Sequence, residues 1–135
     1  MNRIVITGWM SCNPQNNLTK KGFSRTNFLV NVHKRMVGPD GSKYNYFWCV
    51  AYKGVADYIY NYCRIGSKVA LEGSLETRSY FDQTIGKKRW VCEIIVDRIE
   101  ILHTTVNEGD RIPQEGPMEV STAYEDEDGE IYEFI

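Results

Sequence analysis

The sequence lacks long apolar runs, a secretory leader and closely spaced cysteines. No apolar stretch approaches the ~20 residues of a membrane helix, and "MNRIVITG" meets Thr7 and Gly8 too soon for a signal peptide. We therefore expect a cytoplasmic protein without a membrane partner. The four cysteines, which form no C-x-x-C pair, are Cys12, Cys49, Cys63 and Cys92. We therefore expect free thiols rather than disulfides or zinc ligands. We also expect no metal and no cofactor.

Catalytic motifs are also missing. The two histidines, His33 and His103, lie in no H-E-x-x-H pattern, and the chain has no G-x-S-x-G and no phosphate-binding glycine loop. Cys49 and Cys92 could act as nucleophiles, but both fall inside predicted strands, where a buried, inert thiol is the more common case. The sequence therefore predicts a protein that is not an enzyme, with a thiol enzyme as a remote alternative.

Charge divides the chain in two. Residues 1–103 carry fifteen Lys/Arg and eight Asp/Glu, whereas residues 104–135 carry one Arg and ten Asp/Glu. A basic body joined to an acidic tail is typical of nucleic-acid binding, although an ordinary solvated surface with a solubilising tail gives the same composition. Residues 104–135 also hold Pro, Gly and scattered apolar residues without a period, so we expect a disordered tail.

Residues 1–103 read as an all-β domain. Five segments have the β-branched, aromatic or alternating character of strands, while "SCNPQNN" breaks the first of them. One amphipathic stretch with Val55 and Ile59 on its apolar face predicts a short helix between strands 3 and 4. This order favours a small closed barrel over βαβ units. The strand segments are "RIVITGWM", "TNFLVNVHK", "YNYFWCVAY", "SKVALEGSLETRSYF" and "RWVCEIIVDRIEIL".

Aromatic residues interleaved with cations suggest a site for single-stranded nucleic acid, because rings stack on bases and cations meet phosphates. Duplex readout would need a recognition helix, and the one predicted helix lacks suitable side chains. The stacking candidates are Tyr46, Tyr52, Tyr80, Trp48 and Trp90, and the phosphate candidates are Arg3, Lys34, Arg35, Arg64, Arg78, Lys87, Lys88 and Arg89. A surface position is favoured over the core for the three tyrosines and left open for the two tryptophans. The cluster Lys87–Arg89 could equally be a solvated hairpin tip.

Several segments together resemble the bacterial and phage-type single-stranded DNA-binding protein (SSB) family. "MNRIVITG", Asn13–Pro14 and "TNFLVNV" match its pattern in order, and "GSKVALEGSLETRSY" is the most specific match. The resemblance implies an OB-fold, which is a five-stranded Greek-key barrel, over 1–103, assembled as a homotetramer. It also implies sequence-independent binding of single-stranded DNA in replication, recombination and repair. By position, Tyr46, Tyr52 and Tyr80 replace the family's stacking aromatics, and Met36 stands where an aromatic is frequent.

The tail matches a second trait of that family, an acidic segment with an apolar tip that docks replication, recombination and repair proteins. The docking candidates are Glu125, Asp126, Glu127, Asp128, Glu130, Glu133, Phe134 and Ile135. The ending Glu-Phe-Ile departs from the family's usual Pro-Phe, and Trp9 and Met10 are bulkier than usual. We expect a nucleoid-associated protein; the tail ending and the many Tyr substitutions lean toward a phage or plasmid origin, and a chromosomal origin stays open. Two alternatives stay open, an OB-fold replication adaptor acting mainly by protein contacts and an RNA-binding OB-fold module.

Overall fold

The structure is a computed structural model that describes residues 1–104 and, beyond them, the backbone of two short strands. No helix in the described part is long and apolar enough to cross a membrane. In chain order the elements are β1 (Ile4–Met10), β2 (Gln15–Leu18), β3 (Ser24–His33), β4 (Tyr44–Tyr52), α1 (Lys53–Tyr62), β5 (Lys68–Asp82), β6 (Lys87–His103), β7 (Ala123–Glu125) and β8 (Ile131–Glu133).

Five of these strands close into a barrel. The sheet order is β1-β5-β6-β4-β3-β2, and β1 also pairs with β3, which joins the two ends of the five-stranded part. The closing contacts are Trp9 opposite Asn31 and Met10 opposite Val30. The helix α1 lies between the third and fourth barrel strands, β4 and β5. The predicted OB-fold, with its short helix after the third barrel strand, is confirmed.

A sixth strand, β2, lies where the sequence predicted only a chain break. Gln15–Leu18 pairs antiparallel with the first residues of β3. The side-chain amide of Asn16 donates to Ser24 Oγ at 2.8 Å and to Thr26 Oγ1 at 2.9 Å. Asn has a low strand propensity, but these cross-strand hydrogen bonds offset it. The predicted break was wrong at Gln15–Asn17, because local composition does not report such bonds.

The barrel core comes from the inward side of the five barrel strands and from one face of α1. Phe28, Val30, Val69 and Val96 are fully buried, and Val55, Ala56 and Ile59 of the helix belong to the same buried cluster. Thr26 Oγ1 donates to the carbonyl oxygen of Ala56 at 2.9 Å, which ties the helix to β3. The apolar helix face predicted from the sequence is therefore the face that packs on the barrel.

Two glycines permit the close strand approaches of a small barrel. A Cβ on Gly73 would lie 2.0 Å from the carbonyl oxygen of Ile95, and one on Gly8 would lie 2.2 Å from that of Asn31. Gly73 follows a register shift in the β5–β6 ladder, after Glu72. Irregularities of this kind bend long strands around a barrel, so only glycine fits at these two positions.

The described backbone of the tail forms a small antiparallel ladder. Tyr124 lies opposite Tyr132 where β7 pairs with β8. These six residues have regular structure that the prediction of a disordered tail did not include. Of the predicted docking residues, Glu125 and Glu133 lie in this ladder; Asp126–Asp128, Glu130, Phe134 and Ile135 lie outside the described residues.

Candidate nucleic-acid interface

Exposed rings line the outside of the barrel on β4. Residues on alternate positions of β3 and β4 point away from the core, and we call this surface the outer face; it comprises Leu29, Asn31 and His33 of β3 and Tyr44, Tyr46 and Trp48 of β4. Tyr46 is 59% exposed and Trp48 is 49% exposed. Side chains two residues apart on a strand lie ~6.6 Å apart along it, so the outer face presents neighbouring rings to solvent.

Tyr52 shares the parity of Tyr46, but its predicted surface position is wrong. Tyr52 is 1% exposed and forms a small buried cluster with Val50 and Ile95. The reason is the pairing of β4 with β6, which places Ile95 beside Val50. The second half of β4 thus has a neighbouring strand along each edge, and its residues are buried. Periodicity gave the correct face of the strand but not the depth at which the residue lies.

Beyond the barrel, β5 and β6 continue as a hairpin, and we call residues 78–91 the hairpin arm. Tyr80 lies opposite Arg89, while Trp90 lies opposite Ser79. Because neighbouring residues of a strand point to opposite sides, Tyr80 and Trp90 occupy opposite faces of the arm. Tyr80 is on the side that continues the outer face, and it is partly buried.

The other side of the hairpin arm carries the most exposed ring on any described strand position. Trp90 is 70% exposed, and the Nζ atom of Lys88 lies 5.7 Å from its ring centroid. Phe81, opposite Lys88, is also exposed. Sequence reasoning did not select Phe81, although its place in "RSYF" beside a basic turn was a visible signal.

Two predicted phosphate contacts on the arm are held in ion pairs. Arg78 Nε lies 2.8 Å from Glu93 Oε1, and these side chains are only 16% and 6% exposed. Arg89 Nε lies 2.9 Å from Asp82 Oδ2 in a more open setting. A hydrogen bond from the Thr84 hydroxyl, and then the charge of Arg89, lowers the pKa of Asp82. The structure thus gives Arg78 a partner inside the fold, whereas Arg89 stays accessible.

Four of the remaining predicted cations lie in two places. Lys87 and Lys88 are exposed at the arm, and Lys34 and Arg35 lie in the loop between β3 and β4, where Lys34 Nζ donates to Ser42 Oγ at 2.5 Å.

Arg3 and Arg64 do not join these groups. Arg3 pairs with Glu72 at 3.1 Å and with Asp97 at 3.2 Å, on the barrel surface formed by β5 and β6. Arg64 donates to the carbonyl oxygens of Tyr60 and Cys63, both at 2.7 Å, and so completes the end of α1. Both side chains have partners within the fold, and their predicted phosphate contacts stay a prediction.

A second aromatic group was missed. The ring centroids of Trp9 and His33 are 5.4 Å apart in an edge-to-face arrangement, and those of His33 and Tyr44 are 4.7 Å apart. Lys68 Nζ lies 5.2 Å from the Trp9 ring centroid. These residues are far apart in sequence, so only strand pairing brings them together.

The cysteines separate by burial. Burial raises the pKa of the Cys49 thiol strongly and that of Cys63 to about 12. Cys92, which was expected to be buried, is exposed. Among the described residues no group of three or more His, Cys, Asp or Glu side chains could hold a metal ion.

Comparison with known proteins gives the family. The chain is 28% identical over 110 residues to a single-stranded DNA-binding protein of Oceanobacillus iheyensis, covering 81% of this chain and 68% of that one. It is 28% identical to single-stranded DNA-binding protein 1 of Staphylococcus aureus and 27% identical to a single-stranded DNA-binding protein of Halalkalibacterium halodurans, in each case over 76% of this chain and 61% of the relative. The profile of the Single-strand binding protein family matches residues 1–102. The chain therefore belongs to the single-strand binding protein family.

Proposed function

We propose that this chain binds single-stranded DNA without a preference for base sequence, through the outer face and the hairpin arm. The observation that carries the proposal is the pair of exposed rings Tyr46 and Trp48, side by side on β4 and next to an arm with Arg89. The names of its relatives support it. No catalytic step is proposed, in agreement with the family, whose members are non-enzymatic DNA-binding proteins.

The physical basis is stacking combined with charge. Every base has a π-face, so a ring such as Tyr46 gains about 1–3 kcal/mol per base whatever the sequence. Cations at the arm, Lys87 and Lys88, displace counterions from phosphates, so affinity should fall as salt rises. Hydrogen-bond donors aimed at base edges are not required for either contribution.

Fluorescence titration with oligo-dT tests this proposal. The fluorescence of exposed Trp48 and Trp90 should be quenched on binding, and Tyr46→Ala should weaken affinity by about 5-fold to 150-fold. Tyr60→Ala is the matched control, because Tyr60 is exposed on α1 and not on the outer face. Equal affinity of the Tyr46 and Tyr60 variants would contradict the assignment. Tighter binding of oligo-U than of oligo-dT would favour the RNA-binding alternative.

A homotetramer is part of the proposal. β1 pairs with β3 only at Trp9 and Met10, so within the described residues Ile4–Gly8 pairs on one side alone, with β5. Val5, on that stretch, is 73% exposed. An unpaired strand edge is a ready template for another chain, and closed symmetry then limits the assembly. Sedimentation velocity should give a single species of four chains; a monomer at micromolar concentration would exclude it.

We further propose that the acidic tail recruits replication, recombination and repair proteins. Its support is chemical: ten carboxylates in residues 104–135 keep the segment in water, while Phe134 and Ile135 offer an apolar tip. A pull-down with the terminal peptide, compared with one lacking Ile135, tests it. Capture of the same replication proteins by a peptide with the last two residues replaced by Ser would contradict a role for the tip.

A further inference from the structure

The group formed by Trp9, His33, Tyr44 and Lys68 lies on the outside of the barrel at the seam where β1 meets β3. Trp9 packs its edge against His33, which packs against Tyr44. The ammonium of Lys68 lies over Trp9. His33 and Tyr44 are exposed, whereas Trp9 and Lys68 are partly buried. The group therefore has two accessible rings and one cation held in place by a third ring.

Strand register connects this group to the proposed DNA-binding rings. Lys68 pairs with Trp9, Trp9 with Asn31, and Asn31 with Tyr46, which forms a row across β5, β1, β3 and β4. Three steps between strands span about 14 Å at ~4.8 Å each. A strand of DNA lying on Tyr46 would meet Tyr44 two residues along β4, and by crossing β3 at His33 it would reach Trp9 and Lys68.

Charge around the group favours an anionic ligand. Within the described residues, Lys68 makes no ion pair, unlike Arg3, Arg78 and Arg89. The neighbouring loop, residues 34–43, carries three cations and one carboxylate, that of Asp40. A hydrogen bond from Ser42 lowers the pKa of Asp40, whose charge only partly offsets the cations.

We infer that this group is a second nucleotide subsite, which extends the path of single-stranded DNA from Tyr46 to the barrel seam. A base stacks on the rings of His33 and Tyr44, and Lys68, oriented by Trp9, contacts a phosphate. This inference rests on the proposed function. A second copy of the chain is a poorer occupant, because a symmetric contact would bring the cationic patches together and interface cores are depleted of lysine.

Anisotropy titration of the full chain with labelled oligo-dT at several salt concentrations tests the subsite. Tyr44→Ala should weaken binding about 5-fold to 150-fold. Lys68→Met keeps the aliphatic contact with Trp9 but removes the charge, so it should lower the slope of log affinity against log salt by about 0.7. The controls are Tyr60→Ala and Lys21→Ala, which change an exposed tyrosine and an exposed lysine away from the row.

The outcomes separate the two proposals. If Tyr46→Ala weakens binding while the Tyr44 and Lys68 variants keep wild-type affinity and salt slope, the subsite is overturned and the proposed function stands. If the wild-type chain does not bind oligo-dT, both fall. If Tyr44→Ala unfolds, Tyr44→Leu keeps a large apolar side chain without an aromatic ring and should show the same loss of DNA affinity. Loss of self-association with unchanged DNA affinity would overturn the subsite in favour of a contact between chains.

Discussion

The buried pair of Arg78 and Glu93 decides between two roles for Arg78, and its removal should cost fold stability. The Arg78→Met variant leaves the Glu93 carboxylate, 6% exposed, without the guanidinium that lies 2.8 Å away. Breaking a buried pair in this way costs about 3–5 kcal/mol. At ~4 °C per kcal/mol for a domain of ~100 residues, the melting temperature should fall by at least about 12 °C.

Two variants sharpen this prediction. In the double variant Arg78→Met/Glu93→Leu no charge is left buried, so most of the lost stability should return. The matched control is Arg89→Met, which breaks an arginine–carboxylate pair on the same hairpin. The Arg89 side chain is 52% exposed, so its loss should cost no more than about 1 kcal/mol.

The assay is thermal unfolding followed by circular dichroism, at one protein concentration and with oligo-dT titration in parallel. If Arg78→Met unfolds at the wild-type temperature and loses DNA affinity with a smaller salt slope, Arg78 is a phosphate contact. That result would refute the argument from burial and restore the role predicted from the sequence.

Three further predictions concern the barrel, pH and the tail. Gly73→Ala should destabilise the fold by about 1–3 kcal/mol or more, since its Cβ would lie 2.0 Å from the Ile95 carbonyl oxygen; urea unfolding measures this, with Ser74→Ala as the neighbouring control. Burial raises the pKa of Asp97 above its ordinary 3.8, although the charge of Arg3 lowers it. The folded protein therefore favours the protonated carboxyl group. The stability that protonated Asp97 contributes is full below pH 3.8 and is lost as pH rises through the folded-state pKa. Asp97→Asn should remove that loss, and a steeper fall of the melting temperature above pH 4 in the variant would contradict this. Deleting Glu125–Ile135 should strengthen oligo-dT binding at low salt, because the tail then no longer competes with phosphates for the basic barrel; unchanged affinity at low salt would exclude such competition.

Most of the fold could be predicted from the sequence, because its signals are local. Alternation of apolar residues located the five barrel strands, and the spacing of Val55 and Ile59 located α1. Depth could not be predicted in the same way. Tyr46 and Tyr52 share a parity, yet only the pairing of β4 with β6 determines that Tyr52 is buried. Such pairing joins segments more than forty residues apart, so no local pattern reports it.

The candidate site was predictable in its residue types but not in its arrangement. Exposed rings lie on β4, and rings interleaved with cations lie on the hairpin arm, as the sequence predicted. The register of the arm places Tyr80 and Trp90 on opposite faces, and the sequence does not contain that register because it depends on turn geometry. The group formed by Trp9, His33, Tyr44 and Lys68 was missed because it also depends on strand register, although the bulk of Trp9 had been noted as unusual.

The ion pairs within the fold indicate which cations are available to contact DNA phosphates, which net charge alone does not. Residues 1–103 carry fifteen Lys/Arg, but within the described residues Arg3, Arg78 and Arg89 already face carboxylates of the chain itself. A paired cation releases fewer counterions on binding, because its charge is partly neutralised beforehand. The salt dependence of binding should therefore arise mainly from lysines of the arm, from the loop of residues 34–43 and from Lys68. The arm lies on the β6 side of β4, whereas Lys68 lies on the other side, beyond β3 and β1. We therefore expect a single strand that contacts both groups of cations to cross the exposed rings of β4.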